Sequence, residues 1–196
     1  LPCELGDVAE DLGNLRAAIL HVKFHGRRRL GNRLGELMAP LWDWVAGQCE
    51  GESPLIVPVP LHSARQRERG FNQAELLASG LARKLAERNA GEPPRVETRC
   101  ARRLRPTLPQ TGLSIHQRRD NVRGVFAVRA PERVRGRIVV LVDDVMTTGA
   151  TVSACAGALK EAGARKVLAL TLARATPEFP DSLAPGASVA VDDSGL

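Results

Sequence analysis

The chain has 196 residues, 43% of them hydrophobic and only 3% aromatic, with a formal net charge of +6 and a sequence pI of about 9.8. That length buries one substantial core with room for a small appended subdomain, and no apolar run approaches the roughly 18 residues of a membrane span. Cys3, Cys49, Cys100 and Cys155 are scattered without a C-x-x-C pair and the start carries no signal-peptide pattern, so a reduced, cytoplasmic protein is expected and a disulfide scaffold is not.

In chain order, Leu12, Leu15, Ile19 and Leu20 predict a first helix. Leu34, Leu37, Met38, Leu41, Trp42 and Val45 repeat at helical spacing and predict a second, with Pro40 placed to kink or divide it. Residues 47–53 read as a linker, so residues 1–50 form an N-terminal helical segment and residues 51–196 the main domain. Residues 55–60 begin as a strand and end as a proline-fixed loop, because Pro60 cannot continue a central ladder. Ala74, Leu77, Leu81 and Leu85 align on a helix over 73–88. Pro93, Pro94, Pro106 and Pro109 break residues 93–116 into a loop. Strands follow at 125–128, 138–142 and 167–172, with a helix at 152–162 stopped by Gly163. The tail from Ala175 ends with one short strand at 188–191. Alternating strands and helices make this an α/β chain with a mainly parallel sheet and right-handed crossovers.

The most informative stretch is 138–151, Ile-Val-Val-Leu-Val-Asp-Asp-Val-Met-Thr-Thr-Gly-Ala-Thr. Five β-favouring apolar residues fit a strand covered on both faces. Asp143 and Asp144 emerge at its carboxyl end, where open α/β sheets place their ligand crevice. Thr147, Thr148, Gly149 and Thr151 then add hydroxyls and a pliable backbone leading into a helix, whose N-terminal amides suit a phosphate. Carboxylates for sugar hydroxyls beside a phosphate cup describe a sugar-phosphate site. A solvated Asp pair after a buried strand is the plainer reading. A Walker B strand also ends in acids, but its partner G-x-x-x-x-G-K-[ST] occurs nowhere in the chain.

Charge adds a second clue. Between Arg95 and Arg123 eight arginines face only Glu97 and Asp120, a surplus equal to that of the whole chain. Codon bias accounts for 24 arginines against four lysines, but not for their clustering. Such a cluster suits pyrophosphate or a nucleic-acid backbone, while the scarcity of aromatics offers no stacking platform for single strands.

The run at 139–151 resembles the phosphoribosyl pyrophosphate (PRPP) motif of type I phosphoribosyltransferases. Val57-Pro58-Val59-Pro60-Leu61, Arg65 and Arg69-Gly70-Phe71-Asn72-Gln73 resemble the ComF/GntX group of that fold. So do Lys23-Phe24-His25-Gly26 and the spacing of Arg103, Thr107, Gln110, Leu113, Arg118, Asn121 and Phe126. The resemblance covers roughly residues 15–174 and implies the type I phosphoribosyltransferase fold, a mainly parallel sheet flanked by helices. It also implies that Asp143 and Asp144 hold the ribose hydroxyls, directly or through a Mg²⁺ cofactor. Val145, Met146, Thr147, Thr148, Gly149, Ala150 and Thr151 would then wrap the 5′-phosphate. The loop at 58–63, with Val59, Pro60 and Leu61 at its centre, would face the pyrophosphate and offer backbone N–H groups, anchored by Arg65 and Arg69, with Asn72 and Gln73 orienting that loop. Residues 98–120 would be a mobile hood, with Arg103 and Arg118 as its lid arginines. His62 and His116 lie near the implied site, although a lone histidine is more often structural. The family usually carries a four-cysteine zinc ribbon that this chain does not contain, so no zinc ligand is assigned.

The resemblance implies transfer of a phosphoribosyl group from PRPP to an unidentified acceptor, linked to competence and DNA uptake or to nucleotide metabolism. Enzymes acting on 6-oxopurines usually place an Asp where Thr147 stands, which argues against those acceptors. The alternative is a PRPP- or nucleotide-sensing, DNA-associated competence factor that uses the pocket without turnover. A purely structural partner in DNA-uptake machinery is a weaker third reading. Nucleic acid, a competence-machinery protein and a second copy of the chain are the partners to consider.

Overall fold

The apolar run that opens at Ile138 is the middle of a five-stranded sheet. In the computed structural model, which describes residues 5–88, 93–105, 124–176, 179–185 and 188–190, β4 (Ile138–Met146) lies between β1 (Leu55–Pro58) and β5 (Lys166–Thr176) and runs parallel to both. The far edge of β5 is shared by two antiparallel strands: β6 (Phe179–Pro185) pairs with its end and β7 (Ser188–Ala190) with its middle. A separate hairpin joins β2 (Ala101–Arg103) to β3 (Phe126–Val128). On the outer edge of β1, the Ile56 N–H donates to the Arg95 carbonyl and Glu97 N–H donates back to that of Ile56.

Alternation along the pleat divides the core into two layers. Ile56, Val140, Val142, Leu168 and Leu170 face one way and pack against Ile19, Val22, Leu34, Trp42, Leu77 and Leu81. These belong to α1 (Leu5–His25), α2 (Arg28–Glu36), α3 (Trp42–Gly47) and α5 (Gln73–Arg88). Val57, Val139, Leu141, Val167 and Ala169 face the other way, onto Val152, Cys155 and Leu159 of α6 (Ala150–Glu161) and onto Val125 and Phe126. The N-terminal helices therefore share one core with the sheet. Among the described residues no helix is long and apolar enough to cross a membrane.

Two glycines set the spacing of the first layer. A Cβ on Gly35 would overlap the Leu77 carbonyl oxygen, and one on Gly80 would overlap that of Asn32, so α2 and α5 meet backbone to backbone.

Several boundaries differ from the sequence reading. Pro40 does divide the second helix: α2 ends at Glu36, a 3₁₀ turn holds Ala39–Leu41, and α3 follows. A short helix, α4 (Ser63–Arg69), occupies a stretch to which the sequence reading assigns no element. Ala101–Arg103, expected within a loop, form a strand because β3 offers them a ladder. β4 runs four residues past the expected end at Val142, since Asp143, Val145 and Met146 keep pairing with Thr171, Ala173 and Arg174 of β5. β6 also lies in a tail expected to hold a single strand, its prolines tolerated because the strand is at an edge.

Candidate functional site

Because β4 continues through the Asp pair, consecutive carboxylates leave the strand on opposite faces. Asp143 follows Val139 and Leu141 toward α6, whereas Asp144 follows Val140 and Val142 toward α1 and α5. The two are tied by local bonds: Asp144 N–H donates to Asp143 Oδ1 at 2.9 Å, and Val145 N–H donates to Asp144 Oδ1 at 2.7 Å.

On the α6 side, Asp143 joins Val145, Met146, Thr147, Thr148, Gly149, Ala150, Thr151 and Val152 around a cup of about 210 Å³, part of it open to solvent. Gly149 enters α6 with φ +75°, a left-handed turn that a Cβ would strain. The Thr148 hydroxyl accepts from Ala150 N–H at 3.4 Å, and Thr147 and Thr148 are exposed at the rim. Burial raises the Asp143 pKa to about 7, with the neighbouring Asp144 charge adding to the rise; the bond from Asp144 N–H, Lys23 and Arg103 oppose it.

On the opposite side, Asp144 is 6% exposed and sits among Ile19, Val22, Leu34, Leu77 and Leu172, with Gln73 beside it. Its Oδ2 lies 2.7 Å from Lys23 Nζ of α1, an ion pair rather than an aligned hydrogen bond. Sequence reading placed Lys23 in a family segment but gave it no role, because 120 intervening residues hide the contact.

Three guanidinium groups surround the strand end. Arg69, part-buried at the end of α4, donates to Gln73 Oε1 at 2.7 Å and lies 6.0 Å from the Phe24 ring. Arg103 stands 5.6 Å over the Phe126 ring. Burial lowers the pKa of both, while Asp144 raises that of Arg69 and Asp143 that of Arg103; Arg65 presses on each as a like charge. Arg103 therefore belongs to a strand-paired wall, where a mobile hood was expected.

The loop after β1 is fixed from behind. Asn72 is buried, donates through Nδ2 to the Val59 carbonyl at 3.1 Å, and accepts Ala74 N–H on Oδ1 at 3.1 Å, capping α5. Asn72 thus ties the loop to α5, whereas the partner of Gln73 is Arg69. The Val59 N–H, expected to face pyrophosphate, already donates to the Val142 carbonyl at 2.9 Å, and Pro60 has none to give. Leu61 is half-buried at the loop's end. The His62 ring accepts Ala64 N–H at 3.3 Å and so caps α4. Arg118, His116 and the greater part of the expected hood lie outside the described residues.

Comparison with known proteins identifies the family. Residues 72–183 match the family model "Phosphoribosyl transferase domain". Competence protein F of Haemophilus influenzae is 37% identical over 121 residues, covering 61% of this chain and 50% of that protein. The DNA utilization protein YhgH of Salmonella typhi is 39% identical over 163 residues, covering 82% of this chain and 67% of that protein. The chain spans about half the length of several curated relatives that it matches. Among solved structures, hypoxanthine-guanine phosphoribosyltransferase from Schistosoma mansoni in complex with IMP aligns with a TM-score of 0.43 at 18% identity, covering 81% of this chain and 62% of that one. The chain belongs to the phosphoribosyl transferase domain family, as a ComF-type member with the type I phosphoribosyltransferase-like fold.

Proposed function

We propose that the strand-end cup binds PRPP with Mg²⁺ and that the protein transfers the phosphoribosyl group to an acceptor in competence or DNA handling. The observation that carries this reading is the placement of the Asp143 carboxylate beside the hydroxyl-lined loop that enters α6. The loop amides and threonine hydroxyls suit the 5′-phosphate, and Asp143 suits a ribose hydroxyl. Mg²⁺ keeps most of its water shell and needs one or two carboxylates plus substrate phosphates, so the residues present fit it, with Asp143 nearest the cup. When bound, the ion would neutralise the leaving pyrophosphate. Arg65, Arg69 and Arg103 would supply further positive charge as the bond from ribose C1 to pyrophosphate breaks and an acceptor lone pair takes its place. Closure over the site would keep water from competing for the oxocarbenium-like centre.

Calorimetry with PRPP and Mg²⁺ tests binding: saturable heat is expected, and most of the affinity should vanish in the Asp143→Asn, Asp144→Asn double variant. No heat in the wild-type protein overturns the reading. A pyrophosphate-release screen across acceptors then separates transfer from sensing.

The second reading, a nucleotide-sensing and DNA-associated factor, is favoured by the names of the relatives and by Arg95, Arg99, Arg102 and Arg105, all exposed on one short segment. Binding carried by those arginines should weaken steeply with salt through counterion release. Replacing Arg102, Arg103 and Arg105 with Ala should flatten that dependence. A mobility shift insensitive to both salt and these changes removes the reading.

A further inference from the structure

We propose that Lys23 is a positioning residue: its ammonium is the built-in counter-ion of Asp144, so the Lys23–Asp144 pair latches α1 across the end of the sheet, and Asp143 alone offers its carboxylate to a ligand in the cup. The statement about the ligand rests on the PRPP reading above; the latch does not.

Four observations converge on this division. The pleat sends the two carboxylates to opposite faces, and only Asp143 lines the loop cup. Both oxygens of Asp144 are engaged, Oδ1 by Val145 N–H at 2.7 Å and Oδ2 by Lys23 Nζ at 2.7 Å. The pair is shielded, with side-chain exposures of 22% for Lys23 and 9% for Asp144 among apolar neighbours, where removing either partner strands a charge. Finally, the elements around Lys23 are cross-tied: Phe24 stands by Arg69, Arg28 donates to the Gly70 carbonyl at 2.7 Å, and Arg28 lies 5.6 Å from the Phe71 ring. The segments holding Lys23 and Arg69 therefore meet over Asp144 and form one assembly beside the cup. Ligand that used Asp144 directly would have to displace an ion pair and loosen α1. Ligand that uses Asp143 need disturb neither.

The experiment combines hydrogen exchange with PRPP–Mg²⁺ calorimetry on the full chain and its Lys23→Met, Lys23→Arg, Asp144→Asn and Asp143→Asn variants. Without ligand, Lys23→Met and Asp144→Asn should each speed exchange in the last two turns of α1 by roughly tenfold, the two effects should not add, and Lys23→Arg should restore protection. Asp143→Asn should leave α1 protected. In calorimetry Asp143→Asn should lose on the order of 30-fold in affinity, as expected for a bond to a charged group, against only about threefold for Lys23→Met and Asp144→Asn. The proposal is overturned if α1 exchange is unchanged in Lys23→Met. It is also overturned if Asp144→Asn loses as much affinity as Asp143→Asn while α1 stays protected. A wild-type protein that gives no PRPP heat sinks the proposed function, and the exchange arm still decides the latch.

Discussion

The two faces of the central sheet differ in what closes them. On one, α1, α2 and α5 pack onto the strands, with α2 and α5 in backbone contact at Gly35 and Gly80 and the only carboxylate of β4 on that side paired with Lys23. On the other, among the described residues, α6 and the β2–β3 hairpin cover the strands, and the loop that enters α6 leaves Asp143 in a cup with exposed threonines at its rim. Neighbouring residues of one strand thus serve opposite ends, one sealing a layer and one equipping a site. Pleat geometry allows this while β4 keeps its register with β5 on either side of Asp144.

The sharpest way to break the contrast is to make the same kind of change on each face. Gly80→Ala drives a methyl into the Asn32 carbonyl and forces two helices apart, so urea unfolding should show a loss of about 3 kcal/mol or more. A small loss would mean that the helices can separate freely. Asp143 offers a test by pH. Its folded pKa is held near about 7 against ~3.9 in an unfolded chain, so the folded state binds the proton more tightly. Stability must then fall as pH rises through that window, and the penalty is complete above it. Asp143→Asn should therefore stabilise the free protein by on the order of 1–3 kcal/mol at about pH 8, with the gain gone below about pH 4. Thermal melts across pH check the sign. Asn72→Ala removes a buried cap and leaves the Val59 carbonyl without its donor, for an expected loss of about 1–2 kcal/mol. The smallest effect is again a gain. Gly157 faces open space within α6, so Gly157→Ala should stabilise by about 0.5–1 kcal/mol.

What could be read from the sequence follows from where the signal lay. The apolar run at 138–142 and the aligned leucines of α5 announce buried elements through side-chain pattern, and the carboxylates after that run announce a strand-end site. The extension of β4 to Met146 was not legible, because acids ordinarily end a buried strand and only the ladder with β5 keeps them in it. α4 carries Arg65, Arg67, Glu68 and Arg69 with no apolar stripe, since none of its residues is buried, so periodicity had nothing to detect. Lys23 was hidden for another reason: its meaning lies wholly in a partner that topology supplies. Arg103 was legible as a cation near the site, but its seat on a paired strand, over Phe126, depends on β3.

The Lys23–Asp144 pair also bears on how the chain finds its alignment. Ile138, Val139, Val140, Leu141 and Val142 are all buried and all apolar, so the run contains nothing that distinguishes one side of the strand from the other. A slip of one residue against β1 and β5 would turn every side chain over, yet would exchange oil for oil. The first residues able to report such an error are the two aspartates. In the slipped arrangement Asp144 would sit in the cup, and Asp143 would have to reach a lysine set for its neighbour. The ammonium on α1 therefore works as a registration mark, a fiducial that a uniformly greasy strand cannot provide for itself, in keeping with the best-attested service of shielded ion pairs.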